Sequence, residues 1–304
     1  MVEKKPGSNS SGHHVRVGTR GSRLALAQTR QVIEQLHLCD PSLFFETIVI
    51  RTRGDRWKGT DWPEEIGTGV FVREIEDALL RGEIDLAVHS LKDLPARLPE
   101  GLLLAAVLER GDPRDVLVAR DKRKLAELHP KAVVGTGSPR RSVQLASLRP
   151  DFIIKPIRGN ITTRLDYVAQ GKLDGVVLAA AGIRRLDLSA KISEYFSVEH
   201  MVPAVGQGVL VVEARRNENW ESRLARVHHR ESALAVRCER SFLEKWGGGC
   251  RVPLGAYACK MNEKLVLRGM IESNGKLRRE VISGSTDYPE LLGEELAMYM
   301  RGKP

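Results

Sequence analysis

Between residue 14 and about residue 217, short apolar runs alternate with longer amphipathic segments. The run 175–181 (GVVLAAA) is continuously apolar and the run 84–88 (IDLAV) is apolar except for Asp85, which is typical of strands buried on both faces of a parallel sheet. The segments 23–36 and 71–81 carry apolar residues at helical spacing. This alternation of strands and helices predicts an α/β fold.

Beyond about residue 217 the pattern changes. Helical segments are followed by strands with alternating polarity and then by a last helix, which predicts a smaller α+β domain. The predicted helices are 220–228, 231–246 and 289–300, and the predicted strands are 254–258, 265–270 and 281–284.

One stretch of sequence occurs twice. The two copies are VRVGTRGSRLALAQ at 15–28 and AVVGTGSPRRSVQL at 132–145. Each predicts a strand, followed by Val-Gly-Thr, a serine cap and a helix with arginines in its first turn. The repeat predicts two similar half-structures facing one cleft, with 201–213 as a return crossover. The predicted division is a disordered tail (1–13), a first domain (14–110 with 206–218), a second domain (111–205) and a third domain (219–304).

The net charge of +9, from 48 Lys and Arg against 39 Asp and Glu, indicates an anionic partner. Nucleic acid is one alternative, and it predicts binding that weakens steeply with salt. Aromatic residues are only 5% of the chain, however, and no zinc-finger, homeodomain or RNA-recognition motif is present. A small polycarboxylate or phosphate ligand is therefore the preferred interpretation.

The four cysteines, Cys39, Cys238, Cys250 and Cys259, lack the spacing of a zinc site, so no metal is expected. No apolar run approaches the roughly 20 residues of a membrane span, and the N-terminal residues are polar. These features predict a cytoplasmic protein with free thiols and no membrane segment.

Arginines follow the ends of four predicted strands. Helix N-termini bind anions through free backbone N–H groups, and arginines beside them strengthen such sites. Each position alone could equally be ordinary surface charge; the repetition favours an anion-binding cleft. The residues concerned are Arg20 with the capping Ser22, Ser138 with Arg140 and Arg141, Arg158 with Arg164, and Arg184 with Arg185.

Lys92 and Asp93 follow the predicted strand 84–88, and ligands of open α/β sheets bind beyond the carboxyl ends of strands. Asp93 could stabilise a developing cation or transfer a proton. The alternative is an ordinary turn before Pro95.

Three glycines, 247–249, precede Cys250, and Arg251 follows it. Glycines allow close approach of the backbone, and a neighbouring cation favours the reactive thiolate. Cys250 is therefore a candidate point of covalent attachment, and a plain glycine turn is the alternative.

Taken together, these segments resemble the hydroxymethylbilane synthase family, also called porphobilinogen deaminases. The matching motifs occur in order over nearly the whole chain. They are VRVGTR at 15–20, VHSLKDLP at 88–95, VGTGSPRR at 134–141, IRGNITTRL at 157–165, AAAGIRRL at 179–186, PAVGQG at 203–208 and GGGCRVPLGAY at 247–257.

The resemblance implies two α/β domains like those of type II periplasmic binding proteins, with the active cleft between them, and a third α+β domain carrying the cofactor cysteine. It implies an enzyme that joins four porphobilinogen molecules head to tail, releases ammonia each time and hydrolyses off hydroxymethylbilane. The cofactor would be a dipyrromethane held by a thioether to Cys250. The resemblance also implies a cytoplasmic monomer that binds neither nucleic acid nor membrane.

The same resemblance assigns roles to residues. Asp93 would stabilise the cations that form when ammonia leaves. Arginines suit the acetate and propionate groups of the pyrroles, because the planar guanidinium binds carboxylates at two points. The implied cofactor residues are Cys250, Lys92, Ser138, Arg140, Arg141, Arg164 and Arg185, and the implied substrate residues are Arg20, Ser22 and Arg158.

Two points qualify this interpretation. The long polar loop 54–69 resembles the family's lid, but Glu64 and Thr68 stand where lysines are expected. A two-domain solute-binding protein without chemistry would also explain the arginines, although it would not explain a cysteine presented by glycines.

Overall fold

Residues 14–56, 71–247 and 253–302 are described by a computed structural model, and within these ranges thirteen strands and nine helices follow one another. The strands are β1 (His14–Arg20), β2 (Phe44–Ile50), β3 (Leu86–Ser90), β4 (Leu102–Val107), β5 (Asp115–Ala119), β6 (Val133–Gly135), β7 (Ile153–Lys155), β8 (Gly175–Ala179), β9 (Glu194–Tyr195), β10 (Leu210–Arg215), β11 (Leu254–Met261), β12 (Lys264–Ser273) and β13 (Lys276–Ser285). The helices are α1 (Arg23–Cys39), α2 (Arg53–Arg56), α3 (Arg73–Leu80), α4 (Pro139–Leu148), α5 (Ile161–Ala169), α6 (Ala180–Arg185), α7 (Trp220–Arg223), α8 (Arg230–Trp246) and α9 (Pro289–Gly302). None of these helices is long and apolar enough to cross a membrane.

The first sheet has the strand order β2-β1-β3-β10-β4. β1 is parallel to β2 and β3, whereas β10 returns from much later in the chain and lies antiparallel between β3 and β4. The first four residues of β3 are fully buried, as expected for an inner strand of such a sheet. The carboxyl ends of β1 and β3 therefore lie at the same edge of the sheet.

The second sheet repeats this plan with the order β7-β6-β8-β5-β9. β6 is parallel to β7 and β8, and β5 is antiparallel to β8. β6 with α4 thus occupies the place that β1 with α1 has in the first sheet. The predicted repeat of strand and helix is confirmed.

Two chain segments connect the first and second sheets, one after β4 and one before β10. They pass close to each other at Gly111 and Gly208, where the Gly111 N–H donates to the Gly208 carbonyl oxygen at 3.2 Å. Gly208 has a φ of +91°, and a Cβ there would lie 2.7 Å from the Gly111 carbonyl oxygen. Only glycine fits this crossing without strain.

The third sheet is the antiparallel meander β11-β12-β13, covered by α8 and α9. Its core includes the fully buried Phe242, Leu267 and Leu296. The Ala256 N–H of β11 donates to the Pro203 carbonyl oxygen at 3.0 Å, which joins this sheet to the return crossover. The α/β fold with a third α+β unit is therefore confirmed, while the exact domain boundaries stay a prediction.

Two predicted elements extend past their observed C-terminal ends by two residues or more. The helix predicted over 220–228 stops at Arg223, because the chain turns so that the His229 N–H can donate to the Val107 carbonyl oxygen at 2.7 Å. The strand predicted over 175–181 stops at Ala179, where its pairing with β5 ends and α6 begins. In both places tertiary hydrogen bonds override the local pattern.

Candidate active site

A cavity of about 640 Å³ lies beyond the carboxyl end of β3. Its walls are formed by the segment after β3, the first turn of α4, the return crossover and the last turns of α8, so the parts of the chain that build all three sheets contribute loops or helix ends to it. The predicted site residues that line it are Lys92, Asp93, Ser138, Arg140 and Arg141.

Lys92 and Asp93 belong to a 3-10 turn, Leu91–Asp93, that follows β3 directly. The turn is fixed by Leu91, which is buried and whose N–H donates to the Val209 carbonyl oxygen at 3.1 Å. A Cβ at Gly206 would lie 2.5 Å from the Leu91 side chain, so the return crossover packs tightly against the turn. This anchoring holds Lys92 and Asp93 at the cavity wall.

The start of α4 differs from that of α1 in how its serine is used. Ser22 accepts a hydrogen bond from the Ala25 N–H at 3.2 Å, which is a normal cap. Ser138 stands at the equivalent position, before Pro139, but makes no capping side-chain bond. Because it also lines the cavity, the Ser138 hydroxyl is left for a ligand.

Arg140 and Arg141 share one buried carboxylate, Asp115 of β5. Arg140 Nη1 donates to Asp115 Oδ2 at 2.7 Å, and Arg141 donates to Oδ1 from Nε at 3.0 Å and from Nη2 at 2.7 Å. Gln207 Nε2 donates to the same Oδ1 at 2.9 Å. Asp115 thus fixes the position of two cations at the cavity wall.

Sequence reasoning missed Asp115 and Gln207. Gln207 lies in the PAVGQG motif of the predicted return crossover, and neither residue is among the candidate site residues named from the sequence. The available signal was an acid directly before the apolar run 116–119, because a buried acid needs a positive partner.

Arg164 and Arg185 are half-buried and form no ion pair within the described residues. Arg164 Nε donates to the Gly159 carbonyl oxygen at 2.8 Å, and Arg185 Nη2 donates to that of Gly208 at 2.8 Å. Burial lowers the pKa of each guanidinium to about 10, and the charge of Arg141 adds to the effect on Arg164. Both side chains are partly desolvated cations that an anionic ligand would stabilise.

Arg20 lies at the end of β1, outside the lining of the cavity. Its Nη2 pairs with Asp55 Oδ1 at 2.5 Å, and its guanidinium stacks over the Phe71 ring at 4.1 Å. Ser22 lies two residues further along the chain. Arg158 is exposed beside the start of α5. None of the three predicted substrate residues is therefore among the residues that line the cavity.

Cys250 and the predicted lid residues 57–69 lie outside the described residues. Gly247, which ends α8 with a φ of +109°, lines the cavity, and Cys250 follows three residues later. Of the other thiols, Cys238 is fully buried, and burial raises its pKa well above the usual value. It is not a reactive thiolate.

Two family models match the chain. The model for the dipyromethane cofactor binding domain of porphobilinogen deaminase matches residues 15–222, and the model for the C-terminal domain matches residues 233–302. The chain belongs to the porphobilinogen deaminase family. The predicted family is thereby confirmed, together with its dipyrromethane cofactor.

Porphobilinogen deaminases of two bacteria show the extent of the similarity. That of Syntrophus aciditrophicus is 48% identical over 286 residues, covering 93% of this chain and 94% of the relative. That of Thermus thermophilus is 46% identical over 285 residues, covering 92% and 93%. The match therefore covers more than nine-tenths of each of these relatives.

Among solved structures, the VFT2 domain of Bordetella pertussis BvgS has a TM-score of 0.41 and 19% identity, covering 70% of this chain and 86% of its own. The periplasmic aliphatic sulphonate binding protein SsuA of Escherichia coli has a TM-score of 0.40 and 13% identity, covering 77% and 70%.

Proposed function

We propose that this chain joins four porphobilinogen molecules head to tail on a dipyrromethane bound to Cys250, with loss of ammonia at each step, and then releases hydroxymethylbilane by hydrolysis. The observation that carries the proposal is the cavity beyond β3. It combines the carboxylate of Asp93 with the cations of Lys92, Arg140 and Arg141, and it is also lined by Gly247, three residues before Cys250.

The donors of this cavity fit a dipyrromethane. Each pyrrole of such a group carries an acetate and a propionate, so the group needs several fixed cations and hydroxyl donors. Lys92, Arg140 and Arg141 supply the cations and Ser138 supplies a hydroxyl. When bound, the dipyrromethane supplies the pyrrole carbon to which substrate is joined.

The side chains of the proposed site then have distinct roles. Asp93 is the carboxylate placed to stabilise positive charge on the pyrrole nitrogens as ammonia leaves. Asp115 holds Arg140 and Arg141 in position, so that their remaining N–H groups bind ligand carboxylates. Arg164 and Arg185, together with Arg20, Ser22 and Arg158, complete the binding of cofactor and substrate carboxylates.

Stoichiometry tests this function. Incubation with porphobilinogen should release one ammonia for each porphobilinogen consumed and yield hydroxymethylbilane, which mass spectrometry identifies. A protein that only binds a solute would consume no porphobilinogen and release no ammonia.

We also propose that the protein acts as a monomer in the cytoplasm and binds no nucleic acid. Cys39, Cys238 and Cys259 are free thiols, which suits a reducing compartment. Polycarboxylate pyrroles account for the positive charge without a nucleic-acid partner.

Lys92 makes substrate binding dependent on pH. Burial lowers the pKa of Lys92 to about 8, and the charges of Arg141 and Arg140 act in the same direction, whereas those of Asp93 and Asp115 oppose it. Because the pKa is lowered, the ammonium is present below about pH 8 and is lost as the pH rises through that value. We expect KM for porphobilinogen to rise above pH 8 in the wild type and to stay level in Lys92→Arg, whose guanidinium does not titrate there. KM measured on both sides of pH 8 checks this, and an equal rise in both proteins would contradict it.

A further inference from the structure

A second cavity, of about 610 Å³, lies between the first sheet and the third. One face of α8 forms a wall of it, with the segment after Pro95, the end of β4 and the start of α9 opposite. It adjoins the cavity beyond β3, because the two cavities share the lining residues Ala96, Arg97, Arg240 and Glu244.

Most charges of this second cavity are already neutralised. Glu290 of α9 pairs with Arg237 at 2.5 Å, and Glu294 of α9 pairs with Lys245 at 3.6 Å. Both of these cations of α8 therefore already have a carboxylate partner on α9.

Arg240 is different. It is half-buried, and its Nη2 donates to the Ala96 carbonyl oxygen at 2.5 Å, but it forms no ion pair with a carboxylate in residues 14–56, 71–247 and 253–302. Burial lowers the pKa of its guanidinium, although the charges of Glu213 and Glu244 oppose this effect. A half-buried guanidinium without a bound carboxylate, placed where two cavities meet, is suited to an anionic ligand.

The neighbouring ion pair can open at little cost. Arg97 Nη2 pairs with Glu244 Oε1 at 2.5 Å across the boundary of the two cavities. The Arg97 side chain is 81% exposed and that of Glu244 is 42% exposed. Pairs exposed to this degree contribute little to stability, because water screens them.

We propose that Arg240 is a carboxylate subsite for the later stages of elongation, which receives an acetate or propionate of the growing chain as it extends from the cavity beyond β3 into the second cavity. The inference rests on the proposed function. A chain anchored at one cysteine gains two carboxylates with every added pyrrole, so it must find new cations as it lengthens. Of the two arginines that line both cavities, Arg97 pairs with Glu244, and Arg240 is the one without an ion pair in the described residues.

Intact mass spectrometry of the loaded enzyme tests the subsite. Holoenzyme of wild type, Arg240→Gln and Arg230→Gln is given limiting porphobilinogen, and the population of each adduct is measured. Arg230 is the control, because it is an exposed arginine of the same helix outside both cavities. We expect the first additions to proceed normally in Arg240→Gln and the later ones to slow by about tenfold, so that partly elongated complexes accumulate.

Thermal unfolding gives a second readout that does not depend on turnover. Complexes separated by charge should melt higher as they become loaded. In Arg240→Gln the increase in melting temperature on loading should be lost only for the longer complexes. If Arg240→Gln does not fold, Arg240→Lys replaces it. This variant should show a smaller accumulation of partly elongated complexes at the same stage, because lysine keeps the positive charge but lacks the two-point geometry of a guanidinium.

Each outcome decides the inference. Adduct populations in Arg240→Gln equal to those of Arg230→Gln, or an equal slowing of every addition, would overturn it while leaving the proposed function intact. Absence of any adduct in wild-type enzyme would overturn the proposed function and this inference with it.

Discussion

Replacing Asp93 by asparagine is expected to lower kcat by about 100- to 1,000-fold while the dipyrromethane stays attached to Cys250. Asparagine keeps the shape of the side chain and removes its negative charge, so stabilisation of the cation formed on loss of ammonia is lost. The turn that carries residue 93 is held by Leu91 and not by the carboxylate, so the fold should be unchanged. Turnover with porphobilinogen measures the loss of kcat, and the intact mass of the purified variant shows whether the dipyrromethane is attached.

The control for this experiment is Asp93→Glu, which keeps the negative charge but displaces it. We expect it to retain more activity than Asp93→Asn. Turnover of Asp93→Asn at the wild-type rate would contradict the role given to this carboxylate, and a variant without cofactor would show that Asp93 acts in assembly instead.

Replacing Asp115 by asparagine is expected to lower the free energy of unfolding by about 3–5 kcal/mol, because two buried guanidinium groups lose their shared counter-charge. Burial alone would raise the pKa of Asp115, but the charges of Arg140 and Arg141 outweigh it and hold that pKa far below the usual range. Since the folded pKa is lowered, this contribution to stability is present above the ordinary carboxyl pKa of about 4 and is lost only in strong acid. Urea unfolding near neutral pH checks the loss.

Glu83→Gln is the matched control for Asp115→Asn. Glu83 also pairs with an arginine, Arg81, at 2.7 Å, but the pair is exposed, so its removal should leave the unfolding transition unchanged. Asp115→Asn should in addition reduce cofactor loading, because Arg140 and Arg141 lose their fixed positions. Equal stability of the two variants would contradict the structural role given to Asp115.

Much of the site could be predicted from local sequence. The apolar run before Lys92 and Asp93 indicated a buried strand, and strand ends of α/β sheets form ligand sites, so the location of both residues followed. The Val-Gly-Thr repeat likewise indicated that α1 and α4 begin at equivalent places. These predictions succeeded because each depends on a few neighbouring residues.

The partners of the arginines could not be predicted. The sequence pattern assigned no protein partner to any arginine, whereas Arg140 and Arg141 share Asp115 and Arg20 pairs with Asp55. These pairings join residues about 25 to 35 positions apart, and they depend on the tertiary arrangement of β5 with α4 and of β1 with α2 rather than on any local spacing. Arg240 was not predicted as a site residue. The candidate arginines were those that follow strand ends, whereas Arg240 lies within α8.

The central claim is that Cys250 carries a dipyrromethane, and the intact mass of the denatured protein tests it most directly. Wild-type protein is compared with Cys250→Ser. The account predicts that wild type exceeds its sequence mass by two linked pyrroles and that the variant matches its sequence mass. If wild type shows the bare sequence mass even after incubation with porphobilinogen, or if Cys250→Ser carries the same excess, the claim is contradicted.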